Sequence, residues 1–227
     1  MKLIFSFPNL LRLRFPKVNN VILIIIFAHF IFTVAAGLTT PLFAVFVIQK
    51  IADASLVSIG ILATIYWVGK GILQIPISLF LDKTDGERDD FYALIIGAAF
   101  GVLYPFALLG VSQVWHLYLL EIFAGAGTAA LMAAYYSLFA RHVDKGAEGF
   151  EWSLFSVGGL TISSAIGAAI GGVVADAFGF KILFLASGII NLAVVFSLFY
   201  LYLLLDGARP VSLPPFSPLP KNPTTKS

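Results

Sequence analysis

The chain has 227 residues, of which 59% are hydrophobic and only 11% charged. Soluble domains have roughly 45–50% apolar and about 25% charged residues, so the composition excludes an ordinary globular protein and indicates an integral membrane protein. The net charge of +2 is too small to suggest nucleic acid as a partner, and the lack of cysteine excludes disulfides and thiolate chemistry.

The chain begins with a basic segment, residues 1–20, and continues as a series of long apolar runs. A helix needs about 20 mainly apolar residues to cross a hydrocarbon core of roughly 30 Å. Six runs meet this requirement and predict spans over 21–48, 55–81, 91–111, 114–140, 152–175 and 182–205. The sequence therefore predicts an all-α polytopic membrane protein with one transmembrane domain, 21–205, and a disordered Pro-rich tail, 206–227.

The first apolar run has an alternative interpretation as a signal peptide. Val34-Ala35-Ala36 resembles a small-residue cleavage site after an apolar stretch. The apolar run continues through Phe43 to Ile48, however, and a long basic segment precedes it. These features favour a retained helix.

Lysine and arginine in the loops predict the orientation, because positive charge is retained on the cytoplasmic side during insertion. With the N-terminus inside, eleven basic residues lie in the cytoplasm and only Lys50 and Lys181 lie outside, while Lys70 is within a span. The eleven are Lys2, Arg12, Arg14, Lys17, Lys83, Arg88, Arg141, Lys145, Arg209, Lys221 and Lys226. We expect both termini in the cytoplasm and the protein in the plasma or inner cell membrane.

Two helix ends resemble each other. Ser78-Leu-Phe-Leu-Asp82 ends the second span, and Gly172-Val-Val-Ala-Asp176 ends the fifth. Three spans separate the copies, so the two copies face opposite sides of the membrane. This predicts a 3+3 inverted repeat, although a Gly and a basic residue are also common near any helix end.

The loop after the second span resembles a signature of the major facilitator superfamily (MFS). The loop reads Asp82-Lys83-Thr84-Asp85-Gly86-Glu87-Arg88, and the resemblance extends through two glycine-rich stretches, 125–127 and 167–181. It implies an MFS-like half bundle, since the family usually has twelve helices in two halves, and a gating loop made by Asp82, Lys83, Gly86 and Arg88. The missing half would be supplied by a homodimer or by a separate six-helix half, or the chain is a fragment, although its start Met and Pro-rich end favour a complete protein.

Ionisable residues within the spans are the candidate solute and ion path, because a charge near the bilayer centre costs about 2.5–3.5 kcal/mol on insertion scales. Lys70, Glu121 and His29 are predicted to lie in one slab around mid-membrane, where transporter sites form. Lys70 and Glu121 are candidates for an ion pair or for proton uptake at Glu121; a static pair or snorkelling of Lys70 is the alternative. His29 has a structural alternative as a hydrogen-bonded residue. Further path candidates are Gln74, Tyr66, Tyr135 and Asn191.

Small residues predict where helices approach closely in lipid. The candidate packing glycines are Gly125, Gly127, Gly167, Gly171 and Gly172. The last three are alternatively a sliding face against a partner subunit.

The sequence thus predicts a secondary transporter of a small solute, working by alternating access, with proton coupling as an option and lipid as its surroundings. The alternative is a non-transporting membrane subunit or interaction protein on the same scaffold. No nucleophile elbow, helical metal pair or phosphate-binding loop is found in the sequence, so we expect no enzyme, no metal site and no cofactor.

Overall fold

The computed structural model describes residues 16–83 and 87–207. Residues 1–15 of the basic segment, loop residues 84–86 and the predicted tail from residue 208 lie outside the described residues. Six α-helices and one π-helical segment make up most of the described chain. They are α1 (Asn20–Lys50), α2 (Leu56–Lys83), α3 (Arg88–Leu108), α4 (Val114–His142), α5 (Glu148–Ser156), the π segment (Val157–Ile162) and α6 (Ser163–Gly207).

The start of α1 is fixed by one asparagine. The Asn19 side-chain oxygen accepts a hydrogen bond from the Ile22 backbone N–H at 2.9 Å, which caps the helix. Its amide nitrogen donates to the backbone carbonyl of His142 at 2.8 Å. The beginning of α1 is thereby attached to the end of α4, and we call this the N-terminal end of the bundle; the opposite end is the far end.

Helix α6 is interrupted at Gly179, which has φ 78° and ψ 172°. The sequence pattern predicts a loop over 176–181, whereas the structure has helix on both sides of this single residue. We call the two parts α6-N (163–178) and α6-C (180–207).

The chain reverses direction at Gly179. Gly171 of α6-N lies against Leu38, and the Ser187 hydroxyl of α6-C donates to the carbonyl of Ala35 at 2.9 Å. Residues 171 and 187 would lie about 24 Å apart along a straight helix, but their contacts on α1 are only about 4.5 Å apart. Gly179 therefore forms the tight turn of a helical hairpin at the far end.

The helices form one bundle in which α1 and α4 are central. Helix α1 packs against both parts of α6, α4 packs against α2 and α3, and α3 also packs against α6. Buried apolar side chains form one cluster towards each end, which includes Leu94 and Phe139 at the N-terminal end and Leu117 and Phe184 at the far end.

The outer surface of the bundle is apolar. Five helical stretches in the described part of the chain are long and apolar enough to cross a membrane, and the fifth, Glu148–Leu205, has 58 residues. Side chains such as Phe27, Ile72 and Phe196 are more than half exposed, which suits contact with lipid rather than water. The protein is a multi-pass membrane protein.

Candidate functional site

Arg141 joins three helices at the N-terminal end. The guanidinium of this residue, at the end of α4, forms an ion pair at 3.0 Å with Asp90 in the first turn of α3. It also donates to the Leu81 carbonyl near the end of α2 at 2.9 Å. Asp90 is only 1% exposed, so the carboxylate is held inside the bundle by its partner. Sequence reasoning missed this pair, although an acid in the first turn of α3 and a base in the last turn of α4 were available as signals.

The predicted gating loop lies beside this ion pair. Asp82 and Lys83 are exposed at the end of α2, Arg88 is exposed at the start of α3, and Gly86 lies outside the described residues. Asp82 is therefore positioned on the surface, where a second protein segment has access to it.

Three further polar contacts close the N-terminal end. His142, beyond the predicted crossing 114–140, lies 3.1 Å from the Glu87 carboxylate, and this hydrogen bond raises the pKa of the imidazole. The Asp144 backbone N–H donates to Glu151 at 3.0 Å, and the amide of Asn19 donates to the Asp144 side chain at 3.2 Å. Glu151 is fully buried. The loops at this end are thus tied together by charge and hydrogen bonds.

Glu121 forms a hydrogen bond with α3 rather than an ion pair with Lys70. The Tyr104 hydroxyl donates to the Glu121 carboxylate at 2.6 Å, and Glu121 is 6% exposed. In the described part of the chain, Lys70 forms no ion pair with Glu121. The structure therefore differs from the predicted Lys70–Glu121 pair, and the carboxyl group is a separate buried site.

Lys70 is half-buried beside α4 and contacts an aromatic ring. Its amino nitrogen lies 5.0 Å from the centroid of the Trp67 ring, a cation–π distance. Trp67 is 62% exposed and makes an edge contact with the half-buried Tyr66, with ring centroids 5.1 Å apart. Gly125 of α4 allows this part of α2 to approach, since a Cβ atom there would lie 2.8 Å from the Tyr66 carbonyl oxygen.

His29 and Tyr135 meet between α1, α4 and α5. The His29 ring stacks on Phe155 with centroids 4.4 Å apart and lies 5.3 Å from the Tyr135 ring. Both polar residues are buried, at 4% and 0% exposure, and neither His29 Nδ1 nor the Tyr135 hydroxyl has a hydrogen-bond partner among the described residues. The sequence predicts both residues as path candidates but does not predict this contact between them.

The π segment lies directly beside His29. A Cβ atom on Gly159 would be 2.8 Å from His29 Nδ1, so a glycine is needed at this contact. The Ser163 hydroxyl donates a hydrogen bond to the Gly159 carbonyl at 2.8 Å. This bond gives the carbonyl a partner where the π segment changes the backbone hydrogen-bond pattern of the helix. Single π turns are frequent at functional sites, and only the pair Gly158-Gly159 hinted at this one in the sequence.

Asn191 is buried behind the central helices. Its amide donates to the Ser187 carbonyl one turn earlier in α6-C at 3.1 Å. It is 4% exposed and faces Gly101 of α3. This predicted path residue therefore lies within the bundle, between α6-C and α3.

Most of the predicted packing glycines lie at close helix contacts. Gly125 faces α2, Gly127 faces the Phe100 ring of α3, and Gly167 and Gly171 face the backbone of α1 in the same chain. Gly172 differs, because a Cβ atom there would meet no atom within 4 Å. Gly167 and Gly171 thus pack against α1 of the same chain rather than against a partner subunit, whereas Gly172 has space beside it.

A polar stripe runs along α2, where Lys70, Gln74 and Ser78 are half-buried and Asp82 is exposed. Lys70, Gln74, Ser78 and Asp82 recur every four residues, from mid-helix to the N-terminal end. The last three line a groove of about 370 Å³. A larger groove of about 620 Å³ between α1 and α6-C is lined almost wholly by apolar side chains and suits lipid.

Comparison with known families agrees with this architecture. The family model described as the Major Facilitator Superfamily matches residues 25–226. A search of curated proteins gives no match. The match extends over most of the chain. It begins in the second turn of α1 and includes all later helices. The chain therefore belongs to the Major Facilitator Superfamily, whose members are membrane transporters and not enzymes.

Proposed function

We propose that the protein is a secondary transporter of a small solute in which two six-helix halves enclose the solute path. The observation that carries this proposal is the polar stripe of α2. A charged and polar row on a partly exposed helix face is costly against lipid, because hydrocarbon satisfies none of its groups. Such a row requires water or a second protein surface beside it.

In this proposal the chain crosses the membrane six times. Glu148–Leu205 has 58 residues, about 87 Å of helix, whereas one crossing needs roughly 30 Å. The reversal at Gly179 divides this stretch into two crossings of adequate length. Exposed Asp176 and Lys181 flank the turn and suit a membrane surface. With the basic loops inside, the N-terminal end is cytoplasmic.

An inverted repeat is supported by the pattern of helix contacts. In such a repeat α1 corresponds to α4, α2 to the crossing that ends with α6-N, and α3 to α6-C. The contact of α1 with α6-N then corresponds to the contact of α4 with α2. The contact of α3 with α4 likewise corresponds to that of α6-C with α1. All four contacts are present, and this is the arrangement that allows alternating access by rocking of one half against another.

A homodimer is the simplest source of the second half, because two-fold pairing is the commonest symmetric assembly. Asp82 is then available to the positive N-terminus of α5 in the opposite half, which would stabilise the outward-facing state. The test is the protein mass of the detergent-solubilised particle, since one chain has a mass of 24.5 kDa. A particle of twice that mass that also takes up solute in vesicles is expected; a strict monomer contradicts the homodimer.

Glu121 is the proposed proton carrier. It is buried in a span and its only hydrogen bond among the described residues comes from the neutral Tyr104 hydroxyl, so it can exchange a proton without breaking an ion pair. Glu121→Gln is expected to abolish uptake driven by a pH gradient while passive exchange continues. Tyr104→Phe is the matched control, because it removes the hydrogen bond but keeps the carboxyl group. Unchanged gradient coupling in Glu121→Gln contradicts this role.

A further inference from the structure

We infer that the solute is a small anion carrying a carboxylate or phosphate group, and that the Lys70 ammonium group binds it. This inference rests on the proposed transport function and names the solute class for the same path. It is carried by the depth of Lys70, by its lack of a carboxylate partner among the described residues, and by the groove below it that Gln74 and Ser78 line.

Lys70 lies at the centre of the membrane. It is about 21 Å from Leu56 and about 20 Å from Lys83 along the axis of α2. Half of a hydrocarbon core is only about 15 Å, so a lysine side chain cannot carry its charge from this depth to the headgroups. The charge is therefore retained in the interior of the membrane, where it is costly unless a counter-charge is supplied.

The bundle supplies no counter-charge to Lys70 within the described residues. The acid predicted for the same slab, Glu121, is directed towards Tyr104 on α3, and the ammonium group contacts the Trp67 ring. A cation–π contact compensates part of the desolvation but leaves the net charge in place. A bound anion would neutralise it, whereas a neutral solute would not and a cation would be repelled.

The groove next to Lys70 has polar groups suited to a small anion. Gln74 and Ser78 present an amide and a hydroxyl on the two turns below Lys70, and both can donate hydrogen bonds to oxygen. Its volume of about 370 Å³ lies at the small end of ligand pockets. Asp82 also lines the groove, but it is about 18 Å from Lys70 along the helix. Because the Coulomb energy falls with distance, Asp82 repels an anion bound at Lys70 much less than it would repel an anion beside Asp82.

The test is ligand-induced stabilisation of the full chain in detergent, followed by intrinsic tryptophan fluorescence on heating. The probes are succinate, glycerol 3-phosphate, sorbitol and choline. We expect at least one of the two anions to raise Tm in the wild type and in Lys70→Arg, and sorbitol and choline to leave Tm unchanged. In Lys70→Met the affinity for the anion should fall about 10- to 100-fold. Lys50→Met, which removes an exposed lysine at the end of α1, should bind the anion as the wild type does.

Lys70→Met should fold at least as well as the wild type, because it removes a buried charge. A Tm without ligand that is equal or higher, combined with loss of the anion response, therefore separates binding from a structural role. Stabilisation by sorbitol or choline alone, a response to none of the probes, or an undiminished anion response in Lys70→Met would overturn the inference.

Transport in vesicles distinguishes this inference from the proposed function. Uptake of sorbitol or choline, but of neither anion, would preserve the transport function and refute the anion class. Anion binding that depends on Lys70 without uptake of any probe would preserve the anion site and refute transport.

Discussion

Gly171 and Gly172 are neighbours in α6-N, yet alanine at these two positions should change stability in opposite directions. A Cβ atom on Gly171 would collide with the Leu38 carbonyl oxygen and lie 2.7 Å from the Leu38 Cα atom. Contacting carbon atoms prefer about 3.5–4.0 Å, so α1 and α6-N must separate by about 1 Å. Overpacking of this kind costs about 1–3 kcal/mol.

The Gly172 position has room for a methyl group, since its Cβ atom would meet nothing within 4 Å. Replacing glycine by alanine inside a helix stabilises it by about 0.5–1 kcal/mol. The two variants should therefore differ by about 1.5–4 kcal/mol, which corresponds to roughly 3–15 °C in Tm for a chain of this size.

The measurement is thermal unfolding of both purified variants in one detergent at one concentration. Gly167→Ala serves as a second test of the same contact, because its Cβ atom would lie 2.9 Å from the Gly37 Cα atom. If Gly171→Ala proves as stable as Gly172→Ala, the close approach of α1 and α6-N is refuted.

Three further predictions concern the charged end of the bundle and the turn. Asp90→Asn should lower the free energy of unfolding by about 2 kcal/mol, which is less than for a fully buried ion pair because the Arg141 side chain is 30% exposed. Adding Arg141→Met should restore part of this loss, because the double variant no longer contains the unpaired charge. Glu87 raises the pKa of His142. While Glu87 is ionised, the pair therefore stabilises fully below about pH 6.5, and its contribution is lost as pH rises through the folded-state pKa of His142. The dependence of Tm on pH above about pH 6.5 should flatten in Glu87→Gln, and an unchanged slope contradicts this. Gly179→Ala should cost about 1–3 kcal/mol, because φ 78° with ψ 172° suits essentially only glycine, and a wild-type Tm would show that the turn is not strained.

The sequence predicted the first four helices closely because each is a long apolar run with polar residues at both ends. The predicted spans 21–48 and 114–140 lie within α1 and α4, and the predicted span 55–81 begins one residue before α2. The short α5 and the π segment were not predicted. A π turn arises from one extra residue in the helix, and apolar periodicity over six residues does not distinguish it from an α turn.

Residue counting predicts the depth of the site residues in the membrane, but it does not predict the direction in which their side chains point. Counting residues along a helix placed Lys70 and Glu121 at similar depths, because the rise per residue is constant. Whether two such residues face each other depends on how the helices are rotated about their axes, which tertiary packing decides. Here Gly125 brings α4 against the backbone of α2, while Glu121 points to Tyr104 on α3. For the same reason the ion pair of Asp90 and Arg141 could not be distinguished from two solvated helix ends.

The sparse packing of α2 also has a consequence for the order of unfolding. Only 11% of its most apolar window is buried, against 56% in α4, and α4 is its main neighbour. In a single chain α2 is therefore the cooperative unit with the smallest opening free energy, and its amide hydrogens should exchange with solvent earliest among the long helices. A second half that covers α2 would slow this exchange, so amide protection in α2 measures the free energy of assembly directly.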